Sequence, residues 1–198
     1  MIERLVIITI FARQIRKEMN PLDIISKYYK ADCEAKHILV THSRSVADKA
    51  LTIARNHPEM HLNLTFIEEA SMLHDIGIYL CNAPDIDCHG EAEYICHGYL
   101  GAELMRSEGF PRHARVCERH TGTGISLTMI EEGSLPLPHQ DFMPETLEEQ
   151  LICFADKFYS KTSLEKEKSI DKVKKSLSKY GKDTVMRFDN WCKLFLGE

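Results

Sequence analysis

Apolar residues recur at three- and four-residue intervals along most of the chain, and strict alternation is nearly absent, so the pattern predicts helices and almost no strand. Asn20-Pro21-Leu22-Asp23 reads as a helix start. Asn is the cap, Pro lies in the first turn, an acid sits near the positive end of the dipole, and Ile24, Ile25 and Tyr28 face inward. From about Glu34 to Asn56, Ile38, Val46, Ala50 and Ile53 suit a helix, with a break expected near Thr41-His42 and an end at Pro58. Leu64 to His74 carries Phe66, Ala70 and Leu73 at helical spacing before Gly77 supplies a stop. Residues 81–93, with Pro84 and Gly90, read as a loop over the site that follows. His97 to Ser107 is amphipathic through Leu100, Leu104 and Met105, with Gly109 as its C-terminal glycine. Pro111 opens a helix that runs through Val116 to His120.

The stretch 121–144 is rich in Gly and Pro and is expected to be a mobile cover or substrate loop. Thr146 then caps a helix, with Glu149 at the capping-box position, and this helix delivers Asp156. From Ser163 the tail is Lys-rich helix, with Val173, Leu177, Val185, Phe188, Trp191 and Phe195 available for packing. The expected fold is all-α, a helical bundle about one core, which 198 residues can supply. Residues 1–18 form an N-terminal extension, 19–162 the main domain, and 163–198 a tail packing on it.

Leu5 to Ala12 is apolar but too short to span a bilayer, and Glu3, with no small-residue cleavage site after the run, fits a secretion signal poorly. The run reads as a helical extension or as sequence upstream of a natural start near Met19. It also offers, with the C-terminal helix, a surface for a homodimer. A net charge of −5 argues against a general nucleic-acid binder and leaves a small anionic substrate open. Seven cysteines without a C-x-x-C pair read as reduced thiols, so the expected location is the cytoplasm.

The chemistry lies in one ordered series: His42, the adjacent pair His74-Asp75, His97, His120 and Asp156. Neighbouring side chains diverge by roughly 100° around a helix, so His74 and Asp75 reach one ion only if the helix unwinds there, and Gly77 eases that distortion. Imidazole and carboxylate together suit divalent iron, manganese, zinc and similar ions. His37, His57, His61, His89, His113 and His139 read as surface or hydrogen-bonded residues, with His89 and His139 in loops that approach the site.

This series, in its settings Leu73-His74-Asp75-Ile76-Gly77, His42-Ser43-Arg44-Ser45-Val46-Ala47 and Ala155-Asp156-Lys157, resembles the HD superfamily of metal-dependent phosphohydrolases, in particular its members with two extra histidines. The resemblance covers roughly residues 22–161. It implies an HD-domain fold and a first metal site of His42, His74, Asp75 and Asp156. A second site is implied at His97 and His120, with Asp75 bridging. It implies two divalent ions, iron first and Mn, Zn, Ni, Co or Mg as alternatives. The implied reaction is hydrolysis of a phosphoester or phosphoanhydride of a nucleotide or other small metabolite by a metal-bound hydroxide. Asp75 serves the metals, and Lys157, then Arg119, are the cations placed to stabilise developing charge. No polymeric nucleic acid or membrane is expected as a partner.

Residues His97 to Asp156 resemble the two-iron diadenosine tetraphosphate hydrolases of bacteria, although His120-Thr121-Gly122-Thr123-Gly124 replaces their H-T-T-G. The run from Pro138 to Glu149 resembles a group of uncharacterised HDIG-domain proteins. Many HDIG proteins place Lys after the glycine, where this chain has Ile78, so one phosphate contact or catalytic helper is missing. The cyclic-dinucleotide phosphodiesterases with a paired His-His and G-Y-P fit poorly, because His120 has no adjacent histidine. Two other functions share the ligand pattern: a di-iron oxygenase, and a regulatory module that binds metal and nucleotide with little turnover.

Overall fold

Asn20 caps the first helix of the computed structural model, α1 (Pro21–Tyr28), its side-chain oxygen accepting from the Leu22 amide at 3.0 Å. The structure describes residues 19–30, 32–164 and 166–197, so the expected extension over 1–18 lies outside the described residues. The remaining helices are α2 (Glu34–Asn56), α3 (Leu64–Leu73), α4 (His97–Ser107), α5 (Pro111–Arg119), α6 (Leu127–Gly133), α7 (Leu147–Asp156), α8 (Ile170–Leu177) and α9 (Lys182–Leu196). Strand among the described residues is limited to a two-residue antiparallel pair, β1 (Asn82–Ala83) with β2 (Cys88–His89). The fold is all-α, and no described helix is long and apolar enough to cross a membrane.

The long helix α2 packs along α3 and α7, while α4 packs against α5 and a 3₁₀ turn over Ile76–Leu80. The break expected near Thr41-His42 does not occur, and α2 is continuous. Its buried face, running through Ile38, Leu39, Val46, Ala47 and Ala50, gains more from packing than Thr41 and His42 lose in helix propensity. His42 therefore projects from mid-helix, between Leu39 of one apolar cluster and Val46 of the other.

The tail is two helices, interrupted at Gly181, whose φ of 102° lies outside the helical range. Val173, Leu177, Phe188, Trp191, Cys192 and Phe195 bury themselves in the cluster that holds Phe154 and Phe158 of the α7 segment. The Phe154 and Phe188 ring centroids are 5.2 Å apart. Replacing fully buried Phe188 by Ala is expected to lower stability by about 3–5 kcal/mol. Chemical denaturation should still show one transition, because tail and bundle share this core.

The stretch 121–144 is not an open cover. Ile125 pairs with Phe142 through reciprocal backbone hydrogen bonds of 3.1 and 2.8 Å, and α6 folds within the segment. Ile125, Ile130, Leu137 and Phe142 form a third apolar cluster with Cys96. Its apolar residues, hidden among glycines and prolines, fold the segment against its neighbours. The described cysteines are all free thiols.

Candidate metal centre

Each histidine of the series after His42 sits at a helix end, and its ring is locked the same way. The Nδ1 of His74 donates to the Ser71 carbonyl at 2.6 Å, that of His97 to Tyr94 at 2.6 Å, and that of His120 to Cys117 at 2.7 Å. A proton held on Nδ1 leaves the Nε2 lone pair of a neutral ring turned the other way, the tautomer a metal ligand needs. All three Nε2 atoms face Asp75, at 2.8 Å for His74, 3.3 Å for His97 and 3.2 Å for His120. Nε2 of His42 completes the group, 2.9 Å from Asp156 Oδ1 and 3.2 Å from Asp75 Oδ2.

Two sets of donor atoms result: His42, His74, Asp75 and Asp156, and Asp75, His97 and His120. In each set the donors lie within 4.8 Å of one another, every residue is buried, and Asp75 belongs to both. The helix does unwind at the His-Asp pair. α3 stops at Leu73, and Asp75 turns out of helical geometry at φ −104°, ψ 11° before the 3₁₀ turn. Gly77 acts differently from expectation, since it is absent from the positive-φ residues. Its requirement is space: a Cβ there would lie 2.3 Å from the His97 carbonyl oxygen and 2.5 Å from the Gly101 nitrogen, both backbone atoms. Gly77→Ala is expected to cost about 3 kcal/mol and to move Asp75 relative to His97, which a thermal melt together with metal analysis would register.

The cluster fits divalent cations on physical grounds. Nε2 of His97 and Nε2 of His120 approach to 3.0 Å, although both rings already donate from Nδ1, so two lone pairs face each other. Nε2 of His74 and both oxygens of Asp75 are buried without a hydrogen bond of good geometry. Buried polar atoms left this way are costly, and a cation among them removes the cost. The electrostatics agree. Burial opposes the Asp75 charge, yet His74 and Lys161 hold its carboxyl well below the ordinary range. Burial lowers the His74 pKa, but Asp75 and Asp156 outweigh it and raise the value to about 9, a measure of the demand for positive charge. His120, where burial outweighs the attraction of Asp75, falls to about 4 and stays neutral.

The predicted cations divide. Lys157 lies at the site, donating to the His120 carbonyl at 3.0 Å and pairing with Asp156 Oδ2 at 2.7 Å. Arg119 points away, as consecutive helical positions must. Its guanidinium bonds the Met143 carbonyl at 3.0 Å and pairs with Glu145 at 2.7 Å, tying the start of α7 to α5. The residue the sequence reading missed is Lys161, whose ammonium sits 2.6 Å from Asp75 Oδ2 and whose side chain is 12% exposed. Nothing in the spacing marks it, because a turn after α7 brings it back over the cluster. His89 and His139 are exposed, paired with Asp87 and Glu131. Thr146 caps α7 as expected, its hydroxyl accepting from the Glu149 amide at 3.2 Å, while the Glu149 carboxylate accepts from the Glu145 amide in place of the Thr146 amide and pairs with Arg115.

A cavity of about 720 Å³ opens onto His42 and Asp156. Its walls come from residues 82–86, from the turn 157–162 and from the tail between Lys168 and Tyr180. The stretch 121–144 contributes only Gly122 to this lining, and the tail forms the wall in its place.

Known proteins place this architecture. The HD domain family model matches residues 39–160. An uncharacterised protein of Methanocaldococcus jannaschii is 32% identical over 145 residues, covering 71% of this chain and 78% of that one. Two archaeal proteins named tRNA (cytidine(56)-2'-O)-methyltransferase also align. That of Thermoplasma volcanium is 29% identical over 147 residues, covering 74% of this chain and 37% of its own; that of Picrophilus torridus is 32% identical over 127 residues, covering 64% and 33%. The chain thus spans about a third of the length of either methyltransferase. Among solved structures, the HD domain of the Listeria monocytogenes phosphodiesterase PgpH superposes with a TM-score of 0.53 at 17% identity, covering 85% of this chain and 86% of that one, a likeness of fold. With the family match spanning most of the chain and a buried His/Asp cluster suited to divalent metal at its centre, the protein belongs to the HD-domain family.

Proposed function

We propose that the protein is a metal-dependent phosphohydrolase acting on a phosphoester or phosphoanhydride of a small molecule, and that it works with two divalent ions, iron first among them. The observation that carries this reading is the shared carboxylate, with Asp75 common to both donor sets. His42, His74, Asp75 and Asp156 would hold one ion, and Asp75, His97 and His120 the other. When bound, such ions supply Lewis acidity toward phosphoryl oxygens and make water acidic enough to attack phosphorus near neutral pH.

The chain's own contribution begins with ring orientation, since the three backbone-bonded Nδ1 atoms fix the imidazoles before any ligand arrives. Lys161 supplies a positive charge over Asp75. Burial lowers its pKa, but Asp75, Tyr94 and Asp156 outweigh this and raise it, so the ammonium stays charged and orients a phosphoryl oxygen without acting as a base. Ile78, where many HDIG-type chains carry lysine, is buried in the apolar core. Lys157, tied to Asp156 and to the His120 carbonyl, positions the ligands of both sets. Tyr94, stacked on His97 at 4.6 Å and 21°, shields that ring from the cavity water.

The methyltransferase-named relatives favour a second reading, in which this domain is a metal- and nucleotide-binding regulatory module. Phosphate release from a panel of nucleotides and phosphoesters by metal-loaded protein separates the two. Metal bound without turnover on any member supports the module. In the hydrolase reading, His97→Ala retains one ion per chain by elemental analysis and loses the other, because only one donor set contains it; equal loss of both ions rules out two sites.

A further inference from the structure

Three lysines line the cavity, and two are committed. Lys157 pairs with Asp156 and Lys161 with Asp75. The third, Lys168, makes no carboxylate pair among the described residues. Its ammonium donates only to the Tyr159 carbonyl at 2.8 Å, while its backbone amide bonds the Phe158 carbonyl at 2.8 Å. These two bonds close the turn that carries Lys161, so Lys168 is held at one place in the wall and not left to swing in solvent. Its side chain is half-buried, a costly place for an ammonium that touches no carboxylate among the described residues. Burial, aided by Lys157 and Lys161, lowers its pKa against the pull of Asp156. Asp85, on the segment 82–86, is the remaining acid of the lining and makes no pair with Lys168. The cavity, at about 720 Å³, is larger than a single phosphate needs.

We propose that the substrate carries a second phosphoryl group beside the one hydrolysed, and that Lys168 is the residue that binds it. This inference rests on the reading of the cavity as a phosphate site and deepens it, naming a class of substrate with two phosphates and the residue that selects it. The second phosphate comes either from a phosphoanhydride or from a separate ester on the same molecule, and the distance between the two groups distinguishes them.

The test is calorimetric binding to the full chain loaded with excess Mn²⁺, using probes that do not hydrolyse: methylphosphonate, methylenebisphosphonate and propane-1,3-bisphosphonate. In the native protein at least one bisphosphonate is expected to bind about tenfold more tightly than methylphosphonate, the worth of one charge-assisted hydrogen bond. Preference for the methylene link indicates a phosphoanhydride, and for the propane link two separate esters. Lys168→Met is expected to bring the affinity ratio to within about threefold of one, and Lys168→Arg to restore most of it. If Lys168→Met loses its helical signal, Lys168→Gln, which can still donate to the Tyr159 carbonyl, gives the same comparison. A ratio near one in the native protein, or a ratio untouched by these changes, overturns the inference. Phosphate release, assayed separately, reports on the hydrolase reading: its failure with the Lys168-dependent ratio intact would sink that reading alone.

Discussion

Asp75→Asn is expected to lower phosphate release by about a thousandfold and to strip the protein of more than one equivalent of metal. The size follows from the double role of one carboxylate. Its Oδ2 faces His42, His74 and Lys161, and its Oδ1 faces His97 and His120, so a single substitution weakens both donor sets. Asparagine keeps the volume, so no cavity opens. It removes the charge that offsets the Lys161 ammonium and the protonation of His74. Breaking a buried pair from one side costs about 3–5 kcal/mol, and a lowered melting temperature should accompany the loss of metal. Elemental analysis beside a phosphate-release assay checks the result. Full metal content in Asp75→Asn would show that Asp75 is not shared, and circular dichroism separates that outcome from unfolding.

The series that forms this centre was legible through its ordered motifs, and all of it after His42, which lies in the middle of α2, sits at helix ends. His74 and Asp75 close α3, His97 opens α4, His120 follows α5 and Asp156 closes α7, and helix ends are marked by proline, glycine and caps. For these members, order along the chain therefore carried information about position. The errors came where local pattern and tertiary packing part. Thr41-His42 weakens a helix locally, but α2 is held straight by its buried face. The 121–144 stretch has the composition of a loop, while its few apolar residues suffice for a small core. Arg119 neighbours His120 in sequence, but adjacency on a helix means divergence. Lys161 escaped for the opposite reason. It is five residues from its nearest ligand, Asp156, and only the turn after α7 returns it to Asp75 at 2.6 Å.

That turn makes Lys161 the most discriminating position after Asp75. Lys161→Met is expected to cut kcat by about a hundredfold while metal content stays full or rises. The two effects separate because ammonium and metal ions compete for the same oxygen, Asp75 Oδ2, so removing the lysine frees a ligand while taking away a charge aimed at the phosphoryl group. Arginine should not rescue turnover, because its planar fork does not fit where a point charge lies close to one carboxylate oxygen. Lys157→Met is expected to behave in the reverse way. Its ammonium holds Asp156 and the His120 carbonyl, so its loss should loosen metal first and depress turnover as a consequence. The pH dependence sharpens the contrast. The folded pKa of Lys161 lies above its ordinary 10.5, so its charge is present at every lower pH and fades only as pH climbs beyond that folded value. The defect of Lys161→Met should therefore be constant from pH 6 to 9. A defect that vanished toward alkaline pH would mean that the Lys161 ammonium loses its proton within that range, and one that vanished toward acid pH would mean that its neutral amine acts as a base, not as a fixed positive charge.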